Sequence, residues 1–87
     1  MTNQIDFATM TVAQALDRLV DCDVAKWGEQ ERGASRNLHQ GKSLGLLANA
    51  IVHHQTNGYG DAFDAAAKRS AAALLTPADK AELRKGG

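Results

Sequence analysis

Cysteine, proline and apolar runs are all scarce in this chain. Its single cysteine, Cys22, excludes an internal disulfide, and the flanking Asp21 and Asp23 disfavour the thiolate that a nucleophile needs. The single proline, Pro77, leaves no proline-rich linker, and no apolar run is long enough for a membrane span or a signal peptide. We therefore expect one cytoplasmic domain over residues 1–87 that does not associate with a membrane.

The chain also lacks net charge. Its 10 basic and 10 acidic residues cancel at pH 7 when the histidines are neutral. Nucleic acid is therefore a possible but not a favoured partner, since phosphate neutralisation drives most of that binding. A hydrophobic content of 44% is enough for folding. The core of so short a domain is thin, however, and we expect a homo-oligomer to add buried surface.

The spacing of the apolar residues predicts an all-α fold, a small bundle of about four helices. Thr11 and Gln14 form a capping box at the start of the first helix, and Gly33 is a natural stop beyond its end. The apolar residues of that helix recur every three or four positions at Val12, Leu16, Leu19, Val20, Val24 and Trp27. The predicted helices cover residues 11–31, 43–57, 61–75 and 77–85, after an extended arm (1–10) and before a short tail (86–87).

The second predicted helix is apolar on several sides. Residues 34–42 read as a connection anchored by Leu38, and Ser43 can cap the helix that follows. A helix without a polar face needs cover from most directions. We therefore place the segment Leu44–Gln55 at the centre of the fold or of a dimer interface. Thr76 and Pro77 mark the start of the last helix in the same way, as cap and first helical residue.

Three basic side chains precede Ser43, at Arg36, His39 and Lys42. A helix N-terminus offers free N–H groups and a partial positive charge, so this segment could hold a small anion such as a nucleotide or a phosphate. The order Gly41-Lys42-Ser43 is that of the end of a P-loop. The first glycine of that motif is replaced by Arg36, which argues against nucleotide hydrolysis.

Two histidines and two aromatic residues are the other candidates for contact with a ligand or partner. His53 and His54 are adjacent, and adjacent side chains on a helix point about 100° apart, so the two imidazoles are poorly placed to bind one metal ion. We therefore expect no bound metal or cofactor. We expect one of the two histidines to lie at an interface. Trp27 ends the first apolar stripe, which favours core packing over partner contact. Tyr59 stands between two glycines in a turn, a position that is usually exposed, and partner contact is as good an interpretation as an ordinary exposed side chain.

These features favour a non-enzymatic protein that acts by stoichiometric contact with another protein. No Ser, His and acidic residues are spaced as a catalytic set. The alternative is a DNA-binding regulator, because TVAQALDRLVDCDVAKW superficially resembles a helix-turn-helix, although its unbroken stripe favours one continuous helix. Small size and alanine richness give the chain the general character of phage accessory proteins, including inhibitors of host complexes, without a motif that carries this likeness.

Overall fold

The computed structural model describes residues 7–56 and 65–86, which form helices and turns with no β-strand among them. This confirms the all-α class, with one helix more than the four predicted. The α-helices are α1 (Val12–Trp27), α2 (Arg32–His39), α3 (Leu44–Thr56), α4 (Ala65–Ala73) and α5 (Pro77–Gly86), and 3₁₀ turns cover Phe7–Thr9 and Glu29–Glu31. Within the described residues, no helix has the length and apolar content that crossing a bilayer requires.

The centre of the fold is α3, which packs between α1 and α4. Its apolar residues are covered from more than one direction, as the sequence predicted: some are fully buried (Leu47, Ala48, Ile51) and others partly buried against the core (Leu44, Ala50, Val52). Asn49 ties α3 to α4, because its side-chain amide donates to the Ala71 carbonyl oxygen at 2.8 Å. The cover of α3 therefore comes from this chain itself.

Side-chain caps fix two of the helix starts as predicted. Thr11 and Gln14 form the capping box of α1, in which each side chain accepts the other residue's backbone N–H, at 3.1 and 3.0 Å. Thr76 and Asp79 make the same reciprocal pair at the start of α5, both at 3.1 Å. Each pair satisfies N–H groups that the first helical turn leaves without intrahelical partners.

The predicted end of the first helix at residue 31 is wrong, because α1 ends at Trp27 and Gly28, not Gly33, is the residue that stops it. Gly28 has φ +107°, a backbone conformation that residues with a Cβ rarely adopt. The Gln30 side-chain amide donates to the Trp27 carbonyl oxygen at 3.1 Å and satisfies a backbone acceptor at the helix end. The break shortens the predicted helix 11–31 to α1 and leaves Gly33 inside α2.

The predicted connection 34–42 is also wrong, because most of it is helical in α2. The inward side of this helix carries Ser35 and His39, which are buried, while Ala34 and Leu38 point outward. Leu38 is 67% exposed and does not anchor the segment. The expectation that Leu38 anchors this segment is therefore wrong, because the buried residues of α2 are the polar Ser35 and His39.

The other predicted boundaries differ less. The helices predicted at 43–57 and 77–85 appear as α3 and α5, and α4 lies within the predicted 61–75. Residues 57 and 61–64 lie outside the described part of the chain. The prediction of an extended arm over residues 1–10 is wrong for its later part, because Phe7–Thr9 form a 3₁₀ turn and Phe7 is fully buried against the core. Residues 1–6 lie outside the described part of the chain.

Candidate functional site

A buried carboxylate, that of Asp23, joins three helices. It lies in the last part of α1 and is only 8% exposed. Ser35 of α2 donates its hydroxyl hydrogen to Asp23 Oδ2 at 2.6 Å. His39 Nε2 of α2 lies 2.8 Å from the same oxygen, and His54 Nε2 of α3 lies 2.8 Å from Oδ1. We call these four residues the Asp23 cluster.

The hydrogen bonds of the cluster determine the charge state of Asp23. Burial alone raises the pKa of this carboxyl, but the hydrogen bonds from Ser35 and His39 and the electrostatic attraction of the two imidazoles outweigh it and lower the pKa. For His54, burial is the largest effect and lowers the pKa; the positive charge of Lys26 acts in the same direction, while Asp23 opposes it. At neutral pH the cluster is therefore an ionised carboxylate with a neutral His54.

The His39 ring is fixed at both nitrogens. Lys42 Nζ lies 3.2 Å from Nδ1. Because an ammonium group can only donate, Nδ1 accepts and Nε2 carries the hydrogen that points to Asp23. The Ser35 hydroxyl bonds to the carboxylate and not to an imidazole, so the Ser–His contact through which a catalytic triad moves its proton is not formed here.

Exposed ion pairs hold the rest of α2 against α1. Arg36 Nη2 lies 2.7 Å from an Asp17 carboxylate oxygen, and Arg32 Nη1 lies 3.1 Å from one of Asp21. Arg32 also pairs with Glu29 at 2.7 Å, which lowers the pKa of the Glu29 carboxyl. Exposed pairs of this kind contribute little individually. Together with the Asp23 cluster they attach α2 to α1 mainly through polar contacts.

A groove of about 440 Å³ opens between α1 and α2 above this cluster. Its floor is polar and is formed by buried members of the cluster, and its walls are mostly apolar and exposed. Trp27 is 60% and Leu38 67% exposed, and Lys26 Nζ lies 4.9 Å from the centre of the Trp27 ring system. The lining residues are Asp23, Trp27, Glu31, Ala34, Ser35, Leu38 and His39. We call the exposed apolar part (Trp27, Ala34 and Leu38) the Trp27–Leu38 face.

The predicted anion-binding residues do not converge on the start of α3. Arg36 points to Asp17, while His39 and Lys42 bond to each other. Ser43 does cap α3, since its hydroxyl oxygen accepts the Leu46 N–H at 3.3 Å. The same hydroxyl donates to the carboxylate of Asp79 at 2.8 Å. An acidic side chain of α5 therefore already lies beside this helix start.

Of the remaining candidate residues, one lines the groove and another belongs to the Asp23 cluster. Trp27 is on the wall rather than in the core, which corrects the expectation of core packing. His54 belongs to the Asp23 cluster, whereas His53 is exposed and its ring centre lies 6.3 Å from that of His54. In residues 7–56 and 65–86, no group of three His, Cys, Asp or Glu side chains is arranged to hold a metal ion. Tyr59 lies outside the described residues.

Sequence reasoning missed Asp23 and Ser35 as site residues. Asp23 interrupts the buried side of α1, where it follows the buried Cys22. The 3.6-residue period of α1 gave a usable signal, because it places Asp23 one turn after the fully buried Leu19. A charge at such a position requires a partner, although the period does not say which one.

The segment that resembled a helix-turn-helix is one continuous helix. Residues 12–27 form α1 without an internal turn, so the two-helix arrangement that reads DNA is not formed within it. No protein-family model, no curated protein and no solved structure matches this chain.

Proposed function

We propose that this protein acts by stoichiometric binding to a protein surface through the Trp27–Leu38 face, without a catalytic step. One observation carries the proposal: α2 packs with Ser35 and His39 inward and keeps Leu38 in water, beside an equally exposed Trp27. Apolar side chains grouped around a groove with polar groups on its floor are typical of binding sites. Tryptophan in particular often anchors protein interfaces.

The free energy of burying this face is available for binding. A large apolar side chain gains about 1.5–3 kcal/mol when it moves from water into a buried contact. Trp27 and Leu38 forgo most of that gain in the free chain, because they are 60% and 67% exposed. A partner that covers both recovers it, and the groove between them provides room for an inserted side chain.

The polar contacts beneath the face prepare it for binding. An isolated helix of eight residues is unstable in water, so α2 depends on its attachment to α1. The Asp23 cluster and the Arg36–Asp17 pair provide that attachment before any partner arrives. A surface whose backbone is already ordered loses less conformational entropy when it binds, which increases affinity.

A peptide selection tests this function. A displayed library of random 12-residue peptides is selected on the immobilised wild-type chain and counter-selected on a Trp27→Ala/Leu38→Ala double variant. We expect peptides that bind only the wild type and that shift the fluorescence of Trp27, the only tryptophan of the chain. Failure to select any peptide, or equal binding to both proteins, contradicts the proposal. Circular dichroism of the double variant confirms that it is folded.

The other functions predicted from the sequence gain no support from the side-chain contacts. Arg36, one of the cations of the predicted basic segment, is paired with Asp17, and the start of α3 already has Asp79 beside it. DNA binding stays a prediction that a titration against duplex DNA at two salt concentrations tests. Anion binding is tested by thermal shift with phosphate and nucleotides, with Lys42→Ala as the comparison. Inhibition of a host complex, as by a phage accessory protein, is one form that protein binding would take.

A further inference from the structure

Residues of opposite charge flank α2, the helix that forms one side of the groove. Glu31 lines the groove just before α2, and its carboxylate forms no ion pair with any described residue. Lys42 follows the other end of α2; it does not line the groove itself, and its ammonium group contacts the imidazole of His39, which does line the groove and does not neutralise the ammonium. The helix between Glu31 and Lys42 is about 12 Å long, at 1.5 Å per residue. An acidic residue therefore lies just before α2 and a basic residue just after it.

A surface with this charge pattern complements itself when it is turned around. Two copies of α2 that run antiparallel across a twofold axis place Glu31 of each copy opposite Lys42 of the other. The same arrangement brings Leu38 of one copy over Ala34 of the second, with both Trp27 side chains at the edge of the contact. A twofold axis makes every such contact occur twice, which is how most soluble homodimers are built.

We propose that the Trp27–Leu38 face binds a second copy of this chain in this antiparallel arrangement. The inference rests on the proposed function, in which this face binds protein, and names the occupant. The net charge supports it: the chain has net charge 0 at pH 7, so two copies do not repel each other as a whole. Self-association also adds buried apolar surface to a domain whose own core is small.

The dimer is a weak one. Its contact consists of two eight-residue helices and two tryptophan side chains, which is at the low end of specific interfaces. We expect a Kd on the order of 10 µM, in the range of transient complexes. Sedimentation equilibrium of the full chain between about 1 and 500 µM covers the transition from monomer to dimer.

The first arm of the experiment tests the face. Leu38→Glu places a charge at the centre of the contact and is expected to give a monomer over the whole concentration range. Val12→Glu is the matched control, because Val12 is also an exposed apolar residue, at 48%, and lies at the other end of α1. This variant is expected to dimerise like the wild type. A wild type that stays monomeric, or a dimer that Leu38→Glu leaves intact, overturns the proposal.

The second arm tests the orientation. Glu31→Lys alone and Lys42→Glu alone each put like charges opposite one another twice, and we expect each to weaken the dimer about tenfold. The double variant with both substitutions exchanges the charges and is expected to recover most of the wild-type affinity. A double variant that is as weak as the single ones contradicts the antiparallel pairing. Circular dichroism of each variant verifies the fold.

The result separates this inference from the proposed function. A wild type that is monomeric at 500 µM, and yet selects peptides that depend on Trp27 and Leu38, leaves the face as a binding surface for another protein and shows that the occupant is not a second copy. A monomer that selects no such peptides refutes both. A dimer with restored charge exchange supports both.

Discussion

Replacing the buried carboxylate with an amide is the sharpest test of how α2 is attached. In Asp23→Asn the side chain keeps its size and one acceptor oxygen. That oxygen can replace Oδ2 as the acceptor for Ser35 and His39. The amide NH2 group then faces the N–H of His54, so two donors meet where the wild type has a hydrogen bond. The negative charge that strengthens all three bonds is lost as well.

The magnitude follows from the number of bonds affected. One buried donor left without an acceptor costs about 1–3 kcal/mol, and the loss of charge weakens the two remaining bonds. We therefore expect Asp23→Asn to lower the free energy of unfolding by about 2–3 kcal/mol. A domain of this size has roughly 3–5 kcal/mol from its core. With a urea m-value of about 1 kcal/mol/M, the unfolding midpoint falls by about 2–3 M.

Urea denaturation at pH 7, followed by circular dichroism at the helical band, measures this change. Asp17→Asn is the matched control, since it makes the same chemical change in an exposed ion pair with Arg36 and is expected to cost less than about 1 kcal/mol. Equal midpoints for the two variants would show that the three hydrogen bonds of Asp23 do not contribute to stability as described.

Three further predictions concern pH, glycine and helix capping. Because the pKa of His54 is lowered in the folded state, the unfolded chain protonates this imidazole more readily than the folded chain does. The free energy of unfolding is therefore unaffected by His54 well above pH 6.5 and decreases as the pH falls from there through the lowered pKa. Urea titrations between pH 7 and 5 should show this decrease in the wild type and not in His54→Gln. Gly45→Ala should destabilise the fold by about 1–3 kcal/mol, because the added Cβ would lie 2.5 Å from the Leu74 carbonyl oxygen. Gly33→Ala adds a Cβ with no such atom within 4 Å and should stabilise the fold by about 0.5–1 kcal/mol. A thermal melt that ranks the two variants the other way contradicts the packing of α3. Thr11→Ala removes the capping box of α1 and should cost about 1 kcal/mol by the same melt, with no change refuting that role.

Much of the fold was predictable because its signals are local. The capping boxes at Thr11 and Thr76 each involve residues three positions apart, so the sequence displays both partners together. The central position of α3 followed from apolar residues on several of its sides. These features depend on chain neighbours and on periodicity, and neither requires knowledge of the tertiary contacts.

The site was not predictable for the opposite reason. Ser35 and His39 lie twelve and sixteen residues beyond Asp23, and nothing in the sequence shows that these side chains share one carboxylate. Periodicity assumes that apolar residues point inward, and α2 reverses this by burying its polar residues and exposing Leu38. Gly28 ends α1 with a positive φ and allows α2 to fold back. The sequence alone did not show whether Gly28 or the nearby Gly33 ends the helix.

The inward orientation of α2, on which the exposure of Leu38 depends, is tested most directly by long-range ¹H–¹⁵N correlation NMR of the imidazole nitrogens at pH 7. If Asp23 accepts hydrogen bonds from both rings, His39 and His54 are each fixed with the hydrogen on Nε2. We expect distinct Nε2–H signals from both rings; in Asp23→Asn the signal of His54 disappears, while His39 keeps an acceptor in the amide oxygen. Tautomer-averaged signals for His39 and His54, like those of a ring in water, would contradict this orientation.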